Sequence, residues 1–133
     1  MGFYTNKHVL VTGGTGMIGR QLVKFLLEAG AKVRIAALDD SNRAPQGAEY
    51  NNIDLRDFKQ CLDAVSGCEI VFHLAGVKGS PAVAVERPAS FFVPTLSFNI
   101  NTMEAARRQG VERYLFTSSI GVYAPSEIFL EGD

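Results

Sequence analysis

Four glycines lie within seven residues near the start of the chain, between an apolar run and a helical pattern. The stretch from Val9 to Val23 reads VLVTGGTGMIGRQLV. Glycine is costly inside regular secondary structure, so this density indicates a corner where bare backbone is required. The β-branched run before the corner predicts a buried strand, and the apolar spacing after it predicts a helix. A strand, a tight turn and a helix in this order are typical of a βαβ unit, which constrains the chain to an α/β fold.

Strands and helices are predicted to alternate along the whole chain. The predicted strands are residues 7–12, 31–38, 48–53, 69–74 and 112–118, and the predicted helices are residues 17–29, 57–65 and 89–109. Such alternation favours parallel strands joined by right-handed crossovers. The expected fold class is a doubly wound α/β sheet of about five strands with flanking helices. A length of 133 residues fits one domain, residues 1–133, and is too short for two.

Both long helices carry expectations that a structure can test. The positions of the first helix that share a face, and are therefore predicted to be buried, are Ile18, Leu22, Phe25 and Leu26. Pro94 is expected to lie in the first turn of the long helix or to break it, because proline lacks a backbone N–H. Residues 78–88, which precede that helix, are predicted to be a loop.

The charge pattern excludes several classes of partner. The chain has 13 Lys and Arg against 14 Asp and Glu, a formal net charge of −1, and no long block of one sign. It therefore carries no electrostatic footprint for nucleic acid or for a membrane surface. No apolar run approaches the roughly 20 residues of a membrane span, and the first residues lack the layout of a signal peptide. A cytoplasmic location is expected.

The thiols and the histidine of the fourth predicted strand are interpreted as structural. Cys61 and Cys68 form no CxxC motif, so both are predicted to be reduced, partly buried thiols, and no metal site is expected. His73 lies in the apolar stretch EIVFHL. A single histidine in such a strand is more often a hydrogen-bonded core residue than a base.

The spacing of three glycines in the corner points to a dinucleotide. Gly13, Gly16 and Gly19 follow the first strand at intervals of three residues. The first permits a tight turn, the second lets the backbone approach a pyrophosphate, and the third lets the helix pack close to the strand. The helix N-terminus then offers free N–H groups and a favourable dipole. The alternative is a tight turn without a ligand. The neighbours expected to contribute mainly through their backbone are Thr15, Met17 and Ile18.

This spacing after VLVT resembles the short-chain dehydrogenase/reductase superfamily, in its extended branch of nucleotide-sugar epimerases, dehydratases and reductases. Four further stretches resemble the family in the same order: NIDLRD, VFHLAGVKGS, NTMEAARRQGVERYLFTSS and TSSIGVYA. Together they cover essentially the whole chain. The resemblance implies an NAD(P)-binding Rossmann-type domain that stops before the last strands of the sheet and before the C-terminal region that binds substrate.

The resemblance also implies a set of cofactor contacts. In the family, the acid of the Asp54–Leu55 pair meets the adenine amino group, the end of the fourth strand lines the cofactor, and Lys78 lies near its ribose or phosphate. The residues implied to bind the cofactor on this basis are Asp54, Leu55, Leu74, Ala75, Gly76, Lys78, Thr117 and Ser118. From the residues alone, Asp54 is equally suited to cap the helix that follows it.

The chemistry that the resemblance implies is hydride transfer at a sugar carbon. In the family a Tyr exchanges the hydroxyl proton, a Lys lowers the pKa of that Tyr, and a Ser hydroxyl orients the reacting oxygen. The catalytic serine falls on Ser119. The alternative for Ser118 and Ser119 is that they satisfy backbone groups at a strand end. No Tyr in this sequence has a Lys four residues later, so the chain alone is expected to bind cofactor without catalysing the reaction.

The choice between NAD and NADP depends on the end of the second strand. Asp39 lies 20 residues beyond Gly19, close to the distance expected for an acid that binds the ribose hydroxyls and favours NAD. A gapless match to the family places Ala37 there instead, so Asp39 fits only if the second strand is two residues longer. Arg43 is suited to hold a 2′-phosphate. NAD is expected, with NADP as the alternative.

Two functions from different classes fit the sequence. The first is the cofactor-binding N-terminal part of an NAD(P)-dependent nucleotide-sugar epimerase, dehydratase or reductase, in which only the longer protein binds the sugar substrate. The second is a stand-alone NAD(P)-binding module that acts through association with a partner protein. The sequence leaves the oligomeric state open, although the resemblance implies that two copies can pair as a homodimer through their long helices.

Overall fold

Five parallel strands form one sheet, as the sequence predicts. The computed structural model describes residues 2–119 and 122–124. Its strands are β1 (His8–Thr12), β2 (Lys32–Ala37), β3 (Glu49–Asn52), β4 (Ile70–His73) and β5 (Arg113–Phe116), and its α-helices are α1 (Met17–Glu28), α2 (Phe58–Val65), α3 (Pro81–Glu86) and α4 (Pro88–Arg108). The strand order is β3-β2-β1-β4-β5, and every neighbouring pair is parallel. Because β1 lies between β2 and β4, the order reverses at its carboxyl end.

Helices cover both faces of the sheet, which confirms the doubly wound prediction. On one face α1 packs through Val23 and Leu26 against a cluster that contains Val9 and Val11 of β1. On the other face α2 and α4 pack against a cluster that contains Leu10. Successive residues of β1 thus point to opposite faces and are buried on both, as in other parallel sheets.

The buried face of α1 differs from the predicted one. Gly19 and Leu26 are buried, whereas Ile18 is 66% exposed and Phe25 is 65% exposed. The cause is the contact at Gly19, where a Cβ would lie only 2.2 Å from the Gly13 carbonyl oxygen. The helix rests on the glycine corner, and this contact fixes its rotation. The prediction was therefore wrong for Ile18 and Phe25, because the buried stripe begins one residue later.

The long helix continues through Pro94, contrary to the prediction that this residue lies in the first turn or breaks it. Proline removes the hydrogen bond that the carbonyl of Ser90 would otherwise accept. Ser90 is exposed, so water can donate to that oxygen. Solvation of that oxygen offsets part of the cost of the proline.

The predicted loop before the long helix contains a short helix. α3 begins after Ser80, whose hydroxyl accepts from the Val83 N–H at 3.4 Å. A serine followed by proline is a helix-start signal. The pattern after it is too short for hydrophobic periodicity to appear, which explains why the sequence predicts a loop there.

Both cysteines are free and buried, in agreement with the prediction of reduced thiols. Burial raises the pKa of Cys61 to about 11, so this thiol is protonated at neutral pH. Among residues 2–119 and 122–124, no three His, Cys, Asp or Glu side chains are grouped as metal ligands. Within the same described residues, no helix has both the length and the apolar character needed to cross a membrane.

Candidate functional site

A cavity of about 490 Å³ opens at the carboxyl edge of the sheet, where β1, β2 and β4 end. Ligands of open parallel α/β sheets bind at this edge, beside the point where the strand order reverses. The volume is typical of a small-molecule site. The residues predicted to bind cofactor that line it are Gly13, Thr15, Gly16, Asp39, Leu55, Leu74, Ala75, Gly76 and Lys78.

Of the three regularly spaced glycines in the corner, packing closes two and leaves one open. Gly13 has a φ of 68°, and a Cβ there would lie 3.1 Å from the backbone of Ala75. Bare backbone at Gly13 therefore lets the exit of β1 approach the exit of β4. Gly19 is closed by the carbonyl contact that fixes α1. Gly16 lines the cavity, and a Cβ there would meet only the Gly13 carbonyl oxygen, at 3.2 Å.

The N-terminus of α1 adjoins this opening. Gly16 is the N-cap and has no side chain that could accept from the amides of the first turn. The bond from the Arg20 N–H to the Gly16 carbonyl, at 3.0 Å, begins the helical ladder. The N–H groups of Met17, Ile18 and Gly19 precede that bond, so they are available to solvent or to an anion. The side chains of Met17 and Ile18 are exposed and lie outside the cavity's described lining.

Asp39 is held at the cavity wall by two side-chain donors. Its carboxylate accepts from the Lys78 ammonium, at 2.9 and 3.0 Å, and from the Thr15 hydroxyl, at 2.9 Å. The Lys78 bond first, and the Thr15 bond second, hold the pKa of Asp39 below its usual value. Thr15 is fully buried, and its hydroxyl donates to Asp39 because a buried hydroxyl needs a partner.

The assignment of Asp39 to the ribose hydroxyls required the second strand to extend two residues further. The structure does not show that extension. β2 ends at Ala37, and the chain then bends. The Tyr50 hydroxyl shares its one proton between the backbone carbonyl oxygens of Ala37 and Asp39, and this contact holds the bend. Asp39 thus reaches the cavity from the turn rather than from the strand.

A buried chain of hydrogen bonds fixes the backbone where β4 ends. The Thr12 hydroxyl accepts from the N–H groups of Leu74 and Ala75, at 3.1 Å each. Its own proton is then available for His73 Nδ1, 2.8 Å away. This bond assigns the His73 proton to Nε2, which donates to Asn99 Oδ1 at 2.9 Å. His73 is therefore a hydrogen-bonded core residue, as predicted, and it supports the segment that lines the cavity.

The free energy of unfolding is expected to decrease as the pH is lowered through the range in which His73 gains a proton. Burial lowers the pKa of His73 below its ordinary value of 6.5, so the unfolded chain binds a proton more readily than the folded chain. The stabilisation is complete above pH 6.5 and is lost as the pH falls from there through the folded-state pKa. Urea unfolding between about pH 7.5 and about pH 5.5 should show this decline, and His73→Gln should flatten it. His8→Gln, at an exposed residue, is the control, and a decline of equal slope in His73→Gln would contradict the account.

Asp54 lies beside the cavity but outside its described lining. Its carboxylate pairs with the Arg56 guanidinium at 2.6 Å, which holds the pKa of Asp54 below its usual value. The cap of α2 is Asp57, whose carboxylate accepts from the Lys59 N–H at 2.8 Å. The alternative role of Asp54 as a helix cap is therefore wrong, because the helix begins three residues later than that role requires.

Three hydroxyl residues, Thr117, Ser118 and Ser119, follow β5 at the same edge of the sheet. Thr117 donates through its N–H and its hydroxyl to the His73 carbonyl oxygen, at 3.3 and 3.2 Å. Ser118 and Ser119 are exposed, and the Ser119 carbonyl accepts from the Val122 N–H at 3.2 Å. The three hydroxyl residues lie outside the cavity's described lining.

Several lining residues were not predicted from the sequence to bind the cofactor. These are Ala36, Ala37, Leu38, Ile53, Val77 and Phe98. Each is apolar and lies in or beside a predicted strand, loop or helix, so the pattern gives it no role beyond packing. The position of Ala36 and Ala37 at a strand end was a usable signal. Phe98 reaches the cavity from α4, and nothing in the sequence indicates that approach.

The chain resembles known proteins in sequence over most of its length. Residues 9–132 match the model of the NAD dependent epimerase/dehydratase family. The chain is 33% identical to a 3 beta-hydroxysteroid dehydrogenase/Delta 5-->4-isomerase of Mycobacterium tuberculosis, over 94% of this chain and 35% of that protein. It is 31% identical to UDP-glucose 4-epimerase 1 of Oryza sativa, over 90% of this chain and 38% of that protein.

Solved structures agree with this assignment. An epimerase of Methanothermobacter thermautotrophicus superposes with a TM-score of 0.86 and 30% identity, over 98% of this chain and 41% of that one. A UDP-glucose 4-epimerase of Thermus thermophilus in complex with NAD gives a TM-score of 0.72 and 33% identity, over 80% of this chain and 36% of that one. The chain thus spans little more than a third of the length of these relatives. With its parallel sheet and its glycine corner, this chain belongs to the NAD dependent epimerase/dehydratase family.

Proposed function

We propose that the chain is the NAD-binding part of a nucleotide-sugar epimerase, dehydratase or reductase that transfers a hydride at a sugar carbon. The observation that carries this proposal is the cavity in which the glycine corner, the acid after β2 and the exit of β4 meet. A dinucleotide needs bare backbone for its diphosphate, a carboxylate for a ribose and apolar walls for a base. The likeness to a UDP-glucose 4-epimerase solved with NAD supports the choice of cofactor.

The described residues fit such a cofactor at each of these points. The backbone of Gly16 and the first amides of α1 would face the diphosphate, where a side chain would stand in the way. Asp39, which is ionised at neutral pH, would accept from the ribose hydroxyls. Leu55, with Asp54 beside it, would meet the adenine, and the segment from Leu74 to Gly76 would line the path of the cofactor.

We assign the role of the catalytic serine to Ser119. It follows β5 at the carboxyl edge, beside Thr117 and Ser118. In this proposal the Ser119 hydroxyl would hydrogen-bond the reacting oxygen and orient it, and a bound nicotinamide cofactor would supply the hydride chemistry. The sequence holds no Tyr-x-x-x-Lys, so these 133 residues bind the cofactor without turning over a substrate.

Pairing of two copies through α4 belongs to the same proposal. Four of the exposed apolar positions along this helix recur at helical spacing and are 44% to 66% exposed: Phe92, Leu96, Ile100 and Met103. An apolar stripe of this kind is typical of a helix that packs against another helix. A partner protein that covered the same stripe would realise the alternative function, a cofactor-binding module that works by association.

Calorimetric titration of the 133-residue chain tests the cofactor proposal. NAD is expected to bind with a Kd below about 1 mM, and ADP-ribose to bind within about threefold of NAD, because the cavity provides its contacts to the adenosine end. Nicotinamide mononucleotide, which lacks that end, should bind at least about tenfold more weakly. Absence of heat with NAD and ADP-ribose would overturn the proposal.

A further inference from the structure

An ion pair spans the part of the cavity that we assign to the adenosine ribose. Lys78 Nζ lies 2.9 Å from Asp39 Oδ1 and 3.0 Å from Oδ2, while the Thr15 hydroxyl donates to Oδ2 at 2.9 Å. The Lys78 side chain is 70% exposed and the Asp39 side chain is 29% exposed. Asp39 is therefore anchored from beneath by a buried hydroxyl, whereas Lys78 reaches it from the solvent side.

We propose that Lys78 determines how strongly this site discriminates between NAD and NADP. This inference rests on the proposed function, because it concerns the same cavity. The ion pair brings one negative and one positive group to the same point. A free ribose 2′-hydroxyl can donate to Asp39, and a 2′-phosphate can pair with Lys78. The site accordingly accepts both cofactors, unlike a site with an unpaired acid.

The hydrogen-bond capacity of Asp39 supports an exchange of partners. A carboxylate offers about four acceptor positions. The Thr15 hydroxyl occupies one, and Lys78 occupies one on each oxygen, so one remains. A ribose diol that donates two hydrogen bonds needs two positions, so Lys78 must withdraw from one oxygen when NAD binds. Ion pairs this exposed contribute little free energy, and the flexible lysine can leave at small cost.

Charge explains how Lys78 would admit the phosphorylated ribose. A 2′-phosphate carries almost two negative charges at neutral pH, and Asp39 alone would repel it. Lys78 neutralises Asp39 and offers a cation that can turn toward the phosphate. Arg43 also lowers the pKa of Asp39 through a longer-range Coulombic interaction, as the last of several causes. It is the competing candidate for the phosphate-binding role.

The experiment compares two ligands that differ only at the 2′ position. Adenosine 5′-monophosphate and adenosine 2′,5′-bisphosphate are titrated by calorimetry into the unmodified chain and into four variants. The variants are Lys78→Met, Lys78→Arg, Arg43→Met and Lys24→Met, the last being the matched control at an exposed lysine of α1. Circular dichroism and Tm check that each variant is folded.

The unmodified chain is expected to bind the two ligands within about tenfold of each other. Lys78→Met should weaken the bisphosphate by about tenfold or more while changing the monophosphate by less than about threefold. Lys78→Arg should keep the unmodified ratio, and so should Lys24→Met. The inference is overturned if Lys78→Met leaves the ratio of the two affinities unchanged, or if only Arg43→Met changes it. Either result leaves the proposed function intact. Binding of neither ligand to the unmodified chain overturns both.

Discussion

Replacement of Gly19 by alanine is expected to destabilise the fold by about 2 to 3 kcal/mol, although alanine is the better helix former. The gain in helix propensity is at most about 1 kcal/mol. Steric overlap outweighs this gain, because a Cβ at position 19 would lie 2.2 Å from the Gly13 carbonyl oxygen and 2.8 Å from the Gly14 Cα. Both are backbone atoms of the corner, so neither can rotate away. The first turn of α1 must then move off the end of β1, and the packing of the whole helix is disturbed.

Thermal unfolding measures this effect, and a fall in Tm of roughly 10 °C is expected for a domain of this size. Gly76→Ala is the matched control, because a Cβ there meets no atom within 4 Å and Gly76 has no positive φ. The control should change Tm by no more than about 2 °C. Equal stability of the two variants would show that α1 does not rest on the glycine corner.

Replacement of Gly16 by valine is expected to remove NAD binding while the fold persists. Gly16 has φ −74° and ψ 177°, an extended conformation that valine adopts without strain. A Cβ there meets only the Gly13 carbonyl oxygen, at 3.2 Å, so the stability cost stays near about 1 kcal/mol. The added isopropyl group stands beside the first-turn amides of α1, where the diphosphate is proposed to bind. NAD affinity should fall by more than about a hundredfold.

Calorimetry with NAD and thermal unfolding of the same sample separate the two effects of this substitution. Gly16→Ala is the graded control, since it places one methyl group at the same point and should weaken NAD by a smaller factor. Retention of NAD affinity within about twofold in a folded Gly16→Val protein would place the diphosphate elsewhere.

Much of the fold was predictable because local patterns and topology agree. The β-branched runs and the glycine after β1 fixed the alternation of strands and helices, and parallel pairing followed from it. Convergence of Gly13 and Ala75 at one edge also follows, because both come directly after parallel strands. Residues 120–121, which belong to the last quoted motif, and residues 125–133, which follow it, lie outside the described residues.

The features that the sequence did not predict depend on tertiary contacts, which local sequence patterns do not reveal. The rotation of α1 is fixed by Gly19 against the corner, so apolar spacing alone selected the wrong residues, Ile18 and Phe25. The approach of Asp39 to the cavity depends on the hydroxyls of Tyr50 and Thr15, which are distant in sequence. Pro94 lies within a helix at a place where Ser90, whose carbonyl loses its usual amide donor, is exposed, and exposure is a tertiary property.

Mapping bound NAD onto the chain tests the central claim most directly. Amide shifts of the ¹⁵N-labelled 133-residue protein are followed by NMR during titration with NAD. The account predicts the largest shifts at the amides of Gly13 to Gly19, at Asp39 and from Leu74 to Lys78, and small shifts at the opposite edge, around Lys32 and Glu69. Shifts concentrated at that opposite edge, or none at all at saturating NAD, would contradict the assignment of the carboxyl-edge cavity as the cofactor site.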